Sequence, residues 1–151
     1  MELSGDELAG VVDLFGRLAR EELLAALGEL AFRRGADTGE PALDAAVDDA
    51  VERFYLVPVD DGFVAGPAAF PTLPAGAEDL PHILDVDRRE VDRDAAASAA
   101  EERFRAVAGR AVDAGDDDRL RELLDVSYDL EAWGPVEVAD ARDAIDRALG
   151  E

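Results

Sequence analysis

Cysteine, lysine, asparagine and glutamine are all missing from this 151-residue chain. Without cysteine there is no disulfide, no thiolate chemistry and no cysteine-bound zinc. Without asparagine and glutamine, the amide side chains that read adenine in a major groove are gone, and only arginine is left to read guanine. Histidine occurs once, at His82. Ser4, Ser98 and Ser127 are the only serines, and none stands in a G-x-S-x-G elbow. Neither a Walker A loop nor a dinucleotide glycine pattern is present. No apolar run approaches the roughly 18 residues that a membrane span needs. The opening MELSGDELAGVVDLFG carries acids where a signal peptide carries bases. These absences predict a cytoplasmic protein that is not an enzyme, with no membrane contact, no metal and no cofactor.

What is abundant is negative charge. Asp and Glu number 37 against 15 basic residues, all arginine, for a net charge of −22. High charge signals disorder only when hydrophobicity is low; here 48% of residues are hydrophobic, and they recur periodically. Adaptation to concentrated salt is the reading that fits. At about 1 M ionic strength the Debye length falls to roughly 3 Å, so surface carboxylates scarcely repel one another while holding water and solubility.

Helical periodicity dominates the chain. Ser4 and Glu7 make a capping-box pattern ahead of Leu8, Val11, Val12 and Phe15, and Gly16 closes that helix. A second helix is predicted over 20–34, with Leu23, Leu24, Leu27, Leu30 and Ala31 inward, and stops at Arg33-Arg34-Gly35. A third opens at Pro41 and buries Leu43, Val47, Ala50, Val51 and Phe54. Two short strands, 56–59 and 63–65, follow across an Asp60-Asp61-Gly62 turn, with Pro58 marking an edge. Prolines 67, 71, 74 and 81 make 66–81 a connector, and Phe70, Leu73 and Leu80 predict that it lies along the body. Beyond it a long helix is predicted to Ala114, with Ala97, Ala100, Phe104, Val107, Ala108 and Ala111 inward. A short helix from Asp116 to Leu124 and a last one through Val138, Ala141, Ile145 and Leu149 complete the chain.

The predicted fold is α+β and mainly helical. A winged-helix-like unit of three helices plus a β-hairpin spans 1–66, a proline-rich arm 67–90, and a helical unit packed on the rest 91–151. Three helices then a hairpin is the element order of a winged-helix DNA reader. The exposed face of the third helix argues against base contact: Asp44, Asp48, Asp49 and Glu52, opposed by Arg53 alone, would face phosphates of like charge. Eight of the fifteen arginines lie between Arg88 and Arg121, among nine acids. Arg88, Arg89, Arg93, Arg103 and Arg110 are the candidate contacts for nucleic acid or another anion. The alternative is that their stems cover the core edge and their heads pair with nearby acids. Phe63, Phe70, Tyr128 and Trp133 are the candidate partner surface, or else they close the core. His82, between apolar residues after a proline, reads as a packing residue more than a base or ligand. Asp85, Asp87, Asp92 and Asp94 fail as a calcium loop, because Arg89, Glu90 and Ala96 occupy positions that need an oxygen ligand, a glycine and a bidentate glutamate.

The blocks ELAGVVDLFG, ELAFRRG, AFPTLPAGAEDLPHILDV and LLDVSYDLEAWGP resemble a family of small haloarchaeal proteins of unknown function, over nearly the whole chain. The resemblance implies a halophilic origin and a single compact architecture, and it carries no catalytic or binding residues. The expected function is that of an interaction or adaptor protein with a protein partner or a second copy of itself. The alternative is a transcription-related winged-helix DNA-binding protein.

Overall fold

The computed structural model describes residues 3–35, 39–60 and 62–150. Among them are seven helices and three short strands, so the fold is α+β and mainly helical. No helix among the described residues is long and apolar enough to cross a membrane. The chain divides into two compact units, Met1–Asp92 and Arg93–Glu151.

In the first unit the order is α1 (Gly5–Phe15), β1 (Leu18–Ala19), α2 (Arg20–Arg33), α3 (Glu40–Glu52), β2 (Leu56–Val59), β3 (Gly62–Ala65) and α4 (Leu80–Leu84). Helix α1 begins where its orphan amides find partners. The Ser4 hydroxyl accepts from Glu7 N and the Glu7 carboxylate accepts from Ser4 N, both at 3.1 Å. It ends at Gly16, whose φ of 84° suits glycine. A side chain there would also meet the Arg89 carbonyl oxygen at 2.1 Å. Its buried face, Leu8, Val11, Val12 and Phe15, packs with Leu23, Leu27 and Leu30 of α2 and Leu43 and Val47 of α3 in one core.

The three strands form an antiparallel sheet in the order β1-β3-β2. Strand β1 is too short to leave a period-2 signature and was not expected from the sequence; it exists because Leu18 pairs with Phe63 and Ala19 with Gly62. Pro58 lies on the edge strand β2, opposite Phe63, where its missing N–H leaves no gap in the sheet. Asp60 has φ 52°; Asp61, the middle of the expected turn, lies outside the described residues.

Phe54 is buried as expected, but not from a helix face. It lies just past α3 with φ 65°, a left-handed backbone that bulky residues rarely adopt. Tyr55 N donates back to the Ala50 carbonyl at 2.9 Å, the six-to-one bond of a Schellman ending. The cost of that conformation is offset by complete burial of the Phe54 ring, and the reversal points the chain into β2.

The second unit holds α5 (Arg93–Ala114), α6 (Asp117–Trp133) and α7 (Ala139–Gly150), each packed on the other two. The Asp116 carboxylate accepts from Arg119 N at 3.2 Å and caps α6. This helix is not short: it runs 17 residues and carries Tyr128, Leu130 and Trp133. Leu120, Leu123, Ser127 and Leu130 continue one buried stripe, and the polar Ser127 hides that continuity from a reading by hydrophobicity. Val138 just before α7 and Ile145 within it are fully buried.

Candidate functional site

Asp6, in the first turn of α1, fixes one end of the segment that follows the sheet. Its carboxylate accepts from Phe70 N at 2.9 Å and its carbonyl from Thr72 N at 3.0 Å. At the C-terminus of α2, Arg33 donates to the Gly76 carbonyl at 2.8 Å and Arg34 to the Ala75 carbonyl at 3.0 Å. Pro74, Ala77 and Leu80 are buried. The backbone of 70–77 is therefore held along the first unit at both ends. Phe70 and Leu73 do not lie against the body as expected; they are 77% and 42% exposed. An arm with a fastened backbone and outward apolar side chains offers contact area without having to order its main chain on binding.

Phe63 is a correction to the candidate partner surface. It is only 6% exposed, under the guanidinium of Arg20 at 5.3 Å from the ring centroid. The same guanidinium donates to Asp44 at 2.6 Å and Asp48 at 2.8 Å. The outer face of α3 is thus not opposed by Arg53 alone. Arg20 reaches it from the start of α2, 24 and 28 residues away in sequence, too far for a local pattern to show.

The candidate arginines do not form one group. Arg88 and Arg89 belong to the first unit, and Arg93, Arg103 and Arg110 lie on α5 of the second. Arg88 donates to the Asp13 and Leu14 carbonyls at 2.5 and 3.2 Å, in the last turn of α1 at the negative end of its dipole. Arg89 grips Glu22 with two parallel bonds of 2.5 and 2.6 Å. Arg93 lies over the half-buried Trp133 at 5.3 Å. Arg103 is half-buried, and Arg110 is exposed with no ion pair among the described residues.

Glu22 also accepts from Ala19 N at 2.9 Å. The Arg89 hydrogen bonds, and then that backbone bond, hold its carboxyl at about 2. The folded value lies below the unfolded one, so Glu22 stabilises the fold above about pH 4.5, and that contribution is lost as pH falls toward about 2. Glu22→Gln is expected to cost about 1–2 kcal/mol at neutral pH, after allowing for solvent at the half-exposed Arg89. It should also flatten the acid limb of a stability–pH profile between those values. Superimposable profiles for the two proteins, measured by denaturant melts at fixed salt, would refute this role.

The second unit has a cluster that the sequence did not suggest. Arg142 of α7 donates to the hydroxyl of the fully buried Ser127 at 2.9 Å and to Glu131, and its guanidinium lies 4.0 Å from the ring centre of the 57% exposed Tyr128. Glu131 accepts from Val138 N at 2.9 Å, and its carboxyl is lowered by that bond and by Arg142. Arg105 binds Glu101 within α5 and Asp140 of α7. These groups fasten helix to helix. Ser127 also donates to the Leu124 carbonyl at 2.6 Å, and its burial closes it to any substrate. His82 is exposed on α4, not packed in the core as expected. Among the described residues no three His, Asp or Glu side chains are grouped to hold a metal ion.

Fold and surface together define a mainly helical α+β protein whose first unit presents a fastened apolar arm. The chain belongs to the family of unknown function DUF7109, whose model matches residues 6–150. No curated protein and no solved structure matched it.

Proposed function

We propose that this is a non-enzymatic interaction protein of a high-salt cytoplasm. Its first unit is winged-helix-like and binds a protein partner through the arm that carries Phe70 and Leu73. The observation that carries this reading is the 77% exposure of Phe70 on a backbone held by Asp6. An isolated exposed apolar residue needs no explanation; two on one tethered segment are suited to anchor a partner.

A winged-helix DNA-binding protein is the second reading, supported by the order α1-β1-α2-α3-β2-β3 and the sheet order β1-β3-β2. Against it stand the charge of −22 and the exposed Asp48, Asp49 and Glu52 on α3. Arg88 and Arg89 also spend donors on α1 and Glu22.

The test is recovery of a stoichiometric partner from the source cells in molar KCl, with Phe70→Ala/Leu73→Ala as the comparison. The double variant is expected to melt within about 1 kcal/mol of wild type, as exposed substitutions do, and to lose the partner. Duplex DNA added across a salt series should not comigrate with the protein. Comigration that weakens steeply with salt, with no partner held through the arm, would overturn the interaction reading in favour of the second.

A further inference from the structure

Helix α7 has one buried residue, Ile145, where α5 has seven and α6 has five. Its side toward α5 is not closed. An open groove of about 280 Å³ lies between them, lined by Ala108, Gly109 and Val112 of α5 and by Ala141, Ala144 and Ile145 of α7. What seats α7 is largely polar. Arg142 donates to Ser127 and Glu131 on α6, and Arg105 of α5 donates to Asp140 and to the Glu137 carbonyl. These contacts all lie in the first turn of α7 or just ahead of it.

Polar and apolar contacts do different things for a docked helix. A hydrogen bond broken on opening is remade with water, so its net hold is small; it fixes where the helix sits. Buried apolar area is what resists opening. Helix α7 is rich in the first and poor in the second. Opening also strands no polar group. The Ser127 hydroxyl keeps its bond to the Leu124 carbonyl within α6. Glu131 and Arg105 are already partly exposed, and Asp140 is exposed. Gly134 ends α6 against Ala97, whose Cβ a side chain there would meet at 3.0 Å, so the pivot falls at 135–137. We propose that α7 is a detachable latch. It swings off α5 and α6 while those two helices stay folded, uncovering Ser127 and the side of α5 that carries Ala108 and Val112. Arg142 sets how often it opens. The latch is a property of the second unit and does not rest on the Phe70 arm.

The experiment is amide hydrogen exchange of the full chain in about 2–3 M KCl, where surface carboxylates are screened, repeated at low urea concentrations. Protection of Ile145 and Ala148 in α7 is expected to be at least about a hundredfold lower than that of Val107 in α5 and Leu123 in α6. It should depend little on urea, because a local opening exposes little surface. Arg142→Ala should lower α7 protection about a further tenfold, through loss of its charged hydrogen bonds, while circular dichroism stays helical. Gly109→Ala separates the latch from global unfolding. It strengthens α5 in the closed and open forms alike, and nothing lies within 4 Å of its added carbon. It should therefore raise protection of Val107 and Leu123 about two- to fivefold and leave α7 unchanged. One level of protection and one urea dependence across all three helices would overturn the latch. So would α7 protection that Arg142→Ala leaves unchanged, or that Gly109→Ala raises in step with α5. Complete lack of protection in wild-type α7 would overturn it too, since the closed form would then not be the resting one.

Discussion

Replacing Gly10 by alanine is expected to destabilise the first unit by about 1–3 kcal/mol, the range for forcing atoms into a filled site. Helix propensity alone predicts the opposite sign, since alanine is favoured over glycine inside a helix by about 1 kcal/mol. Packing overrides propensity because the arm crosses α1 at this residue. A Cβ on Gly10 would stand 2.0 Å from the Thr72 carbonyl oxygen and 2.4 Å from its carbon. Both are backbone atoms, so no rotamer change relieves the clash, and the arm must lift. Lifting it breaks the bond from Thr72 N to the Asp6 carbonyl and strains that from Phe70 N to the Asp6 carboxylate. Gly109→Ala on α5 is the control, because nothing lies within 4 Å of its added carbon; it should stabilise by about 0.5–1 kcal/mol. Denaturant melts would measure both, with amide exchange at Phe70 and Thr72 reporting the arm. A Gly10→Ala protein more stable than wild type would mean that the arm does not rest on α1 in solution.

Dilution from about 3 M to about 0.1 M KCl is expected to have the largest effect of all. Carboxylates three or four residues apart on a helix lie about 5–6 Å from each other. The Debye length is about 3 Å at 1 M salt and about 10 Å at 0.1 M, so the same neighbours pass from screened to repelling. Asp48, Asp49 and Glu52 on α3 are exposed in this way, and 15 arginines cannot neutralise 37 acids. The ion pairs of Arg20, Arg89 and Arg105 strengthen as salt falls, but exposed pairs contribute only about 0–1 kcal/mol each. The melting temperature should drop by more than about 10 °C, equivalent to about 3 kcal/mol or more for a chain of this size. Thermal melts followed by circular dichroism at several KCl concentrations check this. A melting temperature independent of salt would refute the high-salt reading of the charge.

The legible parts of the sequence were those whose causes lie within a few residues. The Ser4–Glu7 box, the stop at Gly16, Pro41 at the start of α3 and the glycine ending α5 are all local devices, and the structure has them where the sequence put them. Burial of Leu23, Leu27, Leu30, Phe104, Val107 and Ala111 followed from helical spacing alone. Strand β2 and its edge proline were legible for the same reason.

The site was far less legible. Phe63 and Phe70 read alike in the sequence, as aromatics beside glycine or proline. One is sealed beneath Arg20 and the other projects from the arm. Arg88 and Arg89 read either as anion contacts or as partners of nearby acids; they close α1 and clamp Glu22, partners 75 and 67 residues away. Tyr128 and Trp133 lie past Leu124, where the sequence predicts the short helix to end, and are instead in the last turns of a 17-residue one.

By itself the sequence determined the charge, the helices, their ends and most of their inward faces. Those properties depend on composition and on neighbours one helical turn apart. Only the tertiary structure decided that Phe70 and Phe32 remain outside, that Gly10 must have no side chain, and that the arginines serve helix ends and carboxylates. Most of those outcomes depend on which surface is brought against the residue by chain well beyond one helical turn, or on the lack of any such surface, and no local pattern encodes that.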